Sequence, residues 1–219
     1  MKVSQKSSRT SSNGRQKSAS AVRTHTIERV IHPEQHTIRF LTQDELRRLL
    51  KVIRSKRDKA IFMVAYRHGL RASEIGLLQR ADVDAKQGRI SIHRLKGSIS
   101  GLYPMQPNVL KAIRSYLRPR EDESPYLFLS KRSVPISRYM LHHLMQTYGE
   151  LAGLPVEKRK FHCLKHSIAT HLLDAGADLA FVKDWLGHAN IQNTTIYARL
   201  TTATLDAQAR TIFASHRVV

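Results

Sequence analysis

The stretch "FHCLKHSIATHLLDAGADLAFVKDWLGHANIQNTTIYARL", Phe161 to Leu200, concentrates the chemistry of the chain. It reads as helices near 163–175, 178–186 and 192–198, punctuated by Gly176 and Gly187. His162 and His166 stand four apart, a spacing that sets two imidazoles on one face of a helix. Such a pair can bind zinc, but the metalloprotease pattern carries a glutamate beside the first histidine. Here Cys163, Leu164 and Lys165 intervene, and a lysine in a cation site repels instead of ligating. Cys163 beside His162 makes no thiol nucleophile either, because neighbours in a helix point about 100° apart. A third reading joins the pair to His188 and Tyr197 in one catalytic array.

Upstream, the segment "FLTQDELRRLLKVI" opens the folded part. Thr42 followed three residues later by Glu45 is a capping box, with Leu46, Leu49, Leu50 and Ile53 on one face. A second helix in "RDKAIFMVAYRHG" ends at Gly69, where a left-handed cap is needed. Gly88 precedes the alternating "RISIH", Gly97 interrupts, and "ISGLYPM" is extended again, which predicts a β-hairpin or small sheet. Further helices are expected near 107–118 and 137–152, with a last one after Thr201. The expected fold is mainly α with a small antiparallel β-sheet.

The charge balance narrows the partners. Lys and Arg number 37 against 17 Asp and Glu, a net charge of +20, and such a field draws polyanions, nucleic acid first among them. No helix pairs a basic face with an exposed aromatic one, no apolar run approaches a membrane span, and no signal-peptide core is present at the start. The single cysteine excludes an intrachain disulfide and a cysteine-based zinc cluster, and fits a reducing cytoplasm.

Residues 1–39 differ from the rest. "MKVSQKSSRTSSNGRQKSAS" has almost no apolar side chains to offset its ordering entropy, so disorder is expected there. Eight basic residues and two acids between Lys2 and Arg39 make an arm that can lie along phosphates, with Lys2, Lys6, Arg9, Arg15, Lys17 and Arg23 as its DNA-contacting candidates, or a solvated tail.

Taken with the upstream "YRHGLRASEIGLLQRADVD", the opening stretch resembles the tyrosine recombinase (phage integrase) family over roughly Phe40 to Leu200. The first box of that family, an Arg after a Gly-Leu turn and an acid three residues on, falls on Arg71 and Glu74. The second, His-x-x-Arg-His, falls on His162 to His166, with Lys165 where the family has Arg. The third, Leu-Gly-His with Tyr nine residues after the His, falls on Leu186, Gly187, His188 and Tyr197. The hairpin lysine falls on Lys96, with Lys86 and Arg94 as rival cations nearby. Each box alone is weak; their order and spacing together are not.

The resemblance implies that DNA is cut by attack of a tyrosine oxygen, leaving a 3′-phosphotyrosyl bond and a free 5′-hydroxyl. It implies Tyr197 as nucleophile, Arg71 and Lys165 on the phosphate, and His162 and His188 hydrogen-bonding it or moving protons. Lys96 would be the general acid, and Glu74 would fix Arg71. A phenol with an ordinary pKa near 10 needs help losing its proton, and charge building on the phosphate calls for fixed cations. Bond energy is conserved through the tyrosyl ester, so the resemblance implies no ATP, no metal and no other cofactor. His166 and His171 are read as packing or helix-surface residues, and Trp185 as an apolar prop or a stacking surface near DNA.

By the same resemblance, residues 40–219 form the catalytic domain, which works on double-stranded DNA as a homotetramer on paired sites. Accessory DNA-bending proteins are further partners that it allows. A basic arm of about forty residues is too short for the N-terminal clamp domain of most members, so the resemblance implies the catalytic half, as in the small fimbrial phase-switch members, or a piece. "TTATLDAQARTIF" after Tyr197 has an apolar periodicity suited to a neighbouring subunit or to its own. A binding protein of this fold that has lost catalysis, and a type IB topoisomerase, are the alternatives.

Overall fold

The buried helix α2, Lys56–Arg67, organises the fold, because Ala60, Ile61, Phe62, Val64, Ala65 and Tyr66 are buried around most of its circumference. The computed structural model describes residues 38–95 and 97–198. One face of α2 packs on α4, Pro107–Leu117, and another on α6, Cys163–Asp174. Phe62 meets Tyr148 and Phe161 edge to face, both at 5.7 Å between ring centroids, an arrangement aromatic quadrupoles favour.

The local signals explain the ends. Helix α1, Gln43–Val52, has its capping box: the Glu45 amide donates to Thr42 Oγ1 at 3.2 Å and the Thr42 amide to Glu45 Oε2 at 2.7 Å. After α2 the chain turns at Gly69, whose φ of +58° is cheap only for glycine. Its place is tight as well, since a Cβ there would lie 2.5 Å from Leu186. Helix α3, Ala72–Leu77, follows at once; the sequence pattern does not announce it, because six residues are too short to display a period.

A three-stranded antiparallel sheet in the order β1-β2-β3 comes next: Val83–Asp84, Arg89–Ile92 and Gly101–Pro104. Ile90 pairs with Tyr103 and Ile92 with Gly101, and the buried Ile90, Ile92 and Tyr103 face the helices. The remaining helices are α5, Arg138–Leu151, α7, Leu179–Leu186, and α8, Gln192–Ala198. The expected helices at 107–118, 137–152, 163–175, 178–186 and 192–198 thus all form, within a residue or two. Among the described residues no helix is long and apolar enough to cross a membrane. The arm, with Lys2, Lys6, Arg9, Arg15, Lys17 and Arg23, and the segment after Thr201 lie outside the described residues, as does Lys96.

Candidate active site

Helix α6 supplies the floor of the site and is buried on nearly every side, so its polar residues are held in place by neighbours, not by water. Ser167 shows how: its Oγ donates to Cys163 O at 2.6 Å and accepts from the Leu41 amide at 2.8 Å. At the N-terminal end of α6, His162, Lys165 and His166 line a cavity of about 420 Å³ together with Arg71, Gly97, Ser98, His188 and Tyr197. Five of the six catalytic candidates read from the sequence therefore share one cavity; the sixth, Lys96, is outside the described residues, although its neighbours Gly97 and Ser98 line the wall.

Arg71 is set by its own helix cap. Its Nη1 donates to Glu74 Oε1 at 2.8 Å and to Ser98 Oγ at 3.1 Å, while its backbone amide donates to Glu74 Oε2 at 2.8 Å. Glu74 is buried, and burial alone would raise its pKa. The Arg71 amide, the Arg94 charge and the Arg71 guanidinium outweigh that and hold it below the ordinary value.

Arg94, one of the rivals for the hairpin lysine, does not line the cavity. It is a buried staple: Nη1 donates to Gly69 O at 2.9 Å and to Glu74 Oε2 at 3.3 Å, and Nη2 to His68 O at 2.8 Å and Trp185 O at 3.0 Å. With the Ile99 amide donating to Gly187 O at 2.9 Å, it ties the hairpin to the turn that carries His188. Trp185 is a prop in this staple. Its Nε1 donates to Arg67 O at 2.9 Å, and its ring stacks on Phe181 at 5.5 Å.

Glu74→Gln keeps the shape and removes the charge that meets these two arginines. It is expected to destabilise the protein by about 1–3 kcal/mol, the cost of spoiling buried polar pairing. The folded pKa lies below the ordinary 4.5, so the wild-type advantage is complete above that pH and is lost as pH falls through the folded value. Urea titrations of both proteins at several pH values measure it, and equal midpoints throughout would contradict it.

Lys165 is 1% exposed and its Nζ donates to Leu186 O at 2.9 Å. Burial, and then the charges of Arg94 and Arg71, push its pKa down to about 7. His188 is pushed down to about 4, first by burial and then by Lys165, Arg71 and Arg94. Its Nδ1 lies 2.9 Å from Thr194 Oγ1, a contact that fixes the ring while the third box turns from α7 into α8. That turn uses Gly187 at φ +65°, where a Cβ would meet Ile99 O at 2.6 Å. His162 is lowered too, by burial and then by Lys165 and Arg71.

Tyr197 is 1% exposed, and burial raises its pKa, so the phenol is protonated. Its hydroxyl lies 2.8 Å from Nδ1 of His166. His166, read from the sequence as a packing or helix-surface residue, thus lines the cavity: the four-residue spacing that puts His162 there puts His166 there too, against the tyrosine. His171, by contrast, does pack, with Nδ1 2.9 Å from Tyr66 Oη. Among the described residues no group of three or more His, Cys, Asp or Glu is placed to hold a metal ion.

Helices around a small sheet, with a buried tyrosine sharing one cavity with arginine, lysine and histidines, have the fold of tyrosine recombinase catalytic domains. Residues 39–204 match the phage integrase family, and the chain belongs to that family. It is 37% identical over 166 residues to the tyrosine recombinase XerA of Thermococcus onnurineus, covering 74% of this chain and 58% of that protein. It is 36% identical over 166 residues to the type 1 fimbriae regulatory protein FimB of Escherichia coli K12, covering 72% of this chain and 82% of FimB. A crystal structure of XerA recombinase superimposes with a TM-score of 0.69 at 30% identity, covering 82% of this chain and 65% of that one. The chain thus spans less than two thirds of the Thermococcus XerA proteins it matches.

Proposed function

We propose that this protein is a site-specific DNA recombinase that cuts and rejoins DNA through a 3′-phosphotyrosyl intermediate. The observation that carries this reading is the Tyr197 hydroxyl, set in the wall of a cavity also lined by Arg71, Lys165, His162 and His188. The tyrosine oxygen attacks the scissile phosphorus and the 5′-oxygen leaves. Arg71 and Lys165 stabilise charge on the non-bridging oxygens, and His162 and His188 donate hydrogen bonds to them. Glu74 aims Arg71 through the bonds described above. Lys96, placed by resemblance alone, protonates the leaving oxygen.

The substrate is double-stranded DNA in the cytoplasm, and the working form is a tetramer on paired sites. Residues 40–219 serve as the catalytic domain and residues 1–39 as a basic arm on the sugar-phosphate backbone, through Lys2, Lys6, Arg9, Arg15, Lys17 and Arg23. The names of XerA and FimB, a recombinase and a fimbrial regulator, support such a role.

Incubating the protein with fragmented genomic DNA in chelator without ATP, then recovering and sequencing covalently attached DNA, tests the reading. Enrichment of one sequence is expected; no attached DNA at any protein concentration overturns it. Deleting residues 1–27 is expected to weaken DNA binding and flatten its salt dependence, by about 0.9 in the log–log slope for each phosphate no longer neutralised. An unchanged slope in titrations across salt concentrations would make the arm a passive tail.

A second reading is favoured by one observation. Lys165 replaces the arginine of the family and its ammonium already donates to Leu186 O, which suits a DNA-binding protein that no longer cleaves.

A further inference from the structure

We propose that His166 is the proton relay of the nucleophile, taking the phenolic proton of Tyr197 at Nδ1 while its own Nε2 proton passes into the cavity. The inference rests on the recombinase reading and deepens it.

Geometry carries the argument. The 2.8 Å contact with His166 Nδ1 is the one hydrogen bond of the Tyr197 hydroxyl among the described residues. The tyrosine is buried, so bulk water does not offer an easy alternative acceptor. The His166 ring lines the cavity shared with Arg71, Lys165 and His188, and stands edge-on to His162 at 4.4 Å. The phenol is the stronger proton donor of the two groups, so Nδ1 accepts and the hydrogen of the neutral ring sits on Nε2.

Burial, and then the charges of His162, Lys165 and His188, push the imidazole down to about 3. A long-lived imidazolium is thus disfavoured, and His166 is a poor terminal base. A concerted relay avoids that cation. The Tyr197 O–H bond breaks as Nδ1–H forms, and Nε2–H breaks as an O–H bond forms on a water or a phosphate oxygen in the cavity. The phenolate electron pair makes the O–P bond while the P–O5′ bond breaks. No oxidant, reductant or metal enters the balance. Rejoining runs the same transfers in reverse.

Two variants separate relay from simple placement. Asparagine can accept from the tyrosine hydroxyl but cannot pass a proton on; alanine does neither. Single-turnover cleavage at saturating protein on a suicide substrate is expected to fall about 10²–10⁴-fold in both His166→Asn and His166→Ala, the range for lost acid–base catalysis. DNA affinity and Tm should hold in at least the asparagine protein, and its residual cleavage should rise with pH as hydroxide takes over. A substrate with a 5′-bridging sulfur, whose leaving group needs no proton, should leave the defect in place.

Cleavage by His166→Asn at the wild-type rate would overturn the relay and leave His166 a placement residue. Rescue by the bridging sulfur would overturn it too, by moving His166 to the leaving-group side. A long-range ¹H–¹⁵N spectrum of the DNA-free protein gives a reading independent of activity. The Nε2–H tautomer is expected, and an Nδ1–H tautomer would overturn the relay even if the protein cleaves. A wild-type protein that never forms an adduct would remove the recombinase reading itself, and this inference with it.

Discussion

The Tyr197→Phe protein is expected to form no covalent adduct with DNA while still folding and binding it. The substitution removes one oxygen from a side chain that is 1% exposed, so the ring continues to fill its place in the core. Inside the protein it removes the hydrogen bond to His166, about 0.5–1.5 kcal/mol of stability. Chemically it removes the atom proposed to bond to phosphorus, and no other phenol lines the cavity among the described residues. The effect is therefore total, not graded. Mixing each protein with end-labelled nicked DNA in chelator, then resolving detergent-resistant adducts on a gel, measures it directly. An adduct of wild-type yield from Tyr197→Phe would send the assignment elsewhere, with Ser98, the other hydroxyl lining the cavity among the described residues, the next to test.

Most of this arrangement is legible in the sequence because each part has a local cause. The capping box at Thr42 and Glu45 and the glycine at 69 act within one turn, so spacing alone reveals them. The helical period likewise brings His162, Lys165 and His166 to one end of α6. What stays hidden depends on distant partners. Arg94 reads as a rival for the hairpin lysine, and only the fold shows its fork taken up by His68 O, Gly69 O, Trp185 O and Glu74. His166 reads as packing because its partner, Tyr197, lies 31 positions away. Helix α3 is hidden for the opposite reason: it is too short for a period, and the bonds of Arg71 with Glu74 set its start.

Lys165 is where the two functional readings part, and it should carry a pH signature no arginine would show. Lys165→Ala is expected to lower single-turnover cleavage by about 10²–10³, as for removing a donor to developing charge. DNA affinity should change little, since many other cations share the binding. In the wild type the ammonium titrates near 7, so at subsaturating DNA cleavage should fall as pH rises through 7 toward 9. Lys165→Arg holds its charge throughout and should be flat over that range. Stability should move the other way. The unfolded lysine keeps its proton to its ordinary value of 10.5 while the folded one loses it near 7, so the folded state of the wild type gains stability as pH rises between those values. Opposite trends in cleavage rate and urea midpoint, both abolished by Lys165→Arg, would tie the lysine charge to the phosphate step. A wild type that binds its site without cleaving, beside a Lys165→Arg protein that cleaves, would identify a disabled recombinase. Equal rates for Lys165→Ala and wild type would leave the ammonium serving Leu186 O alone and the phosphate to Arg71 and the histidines.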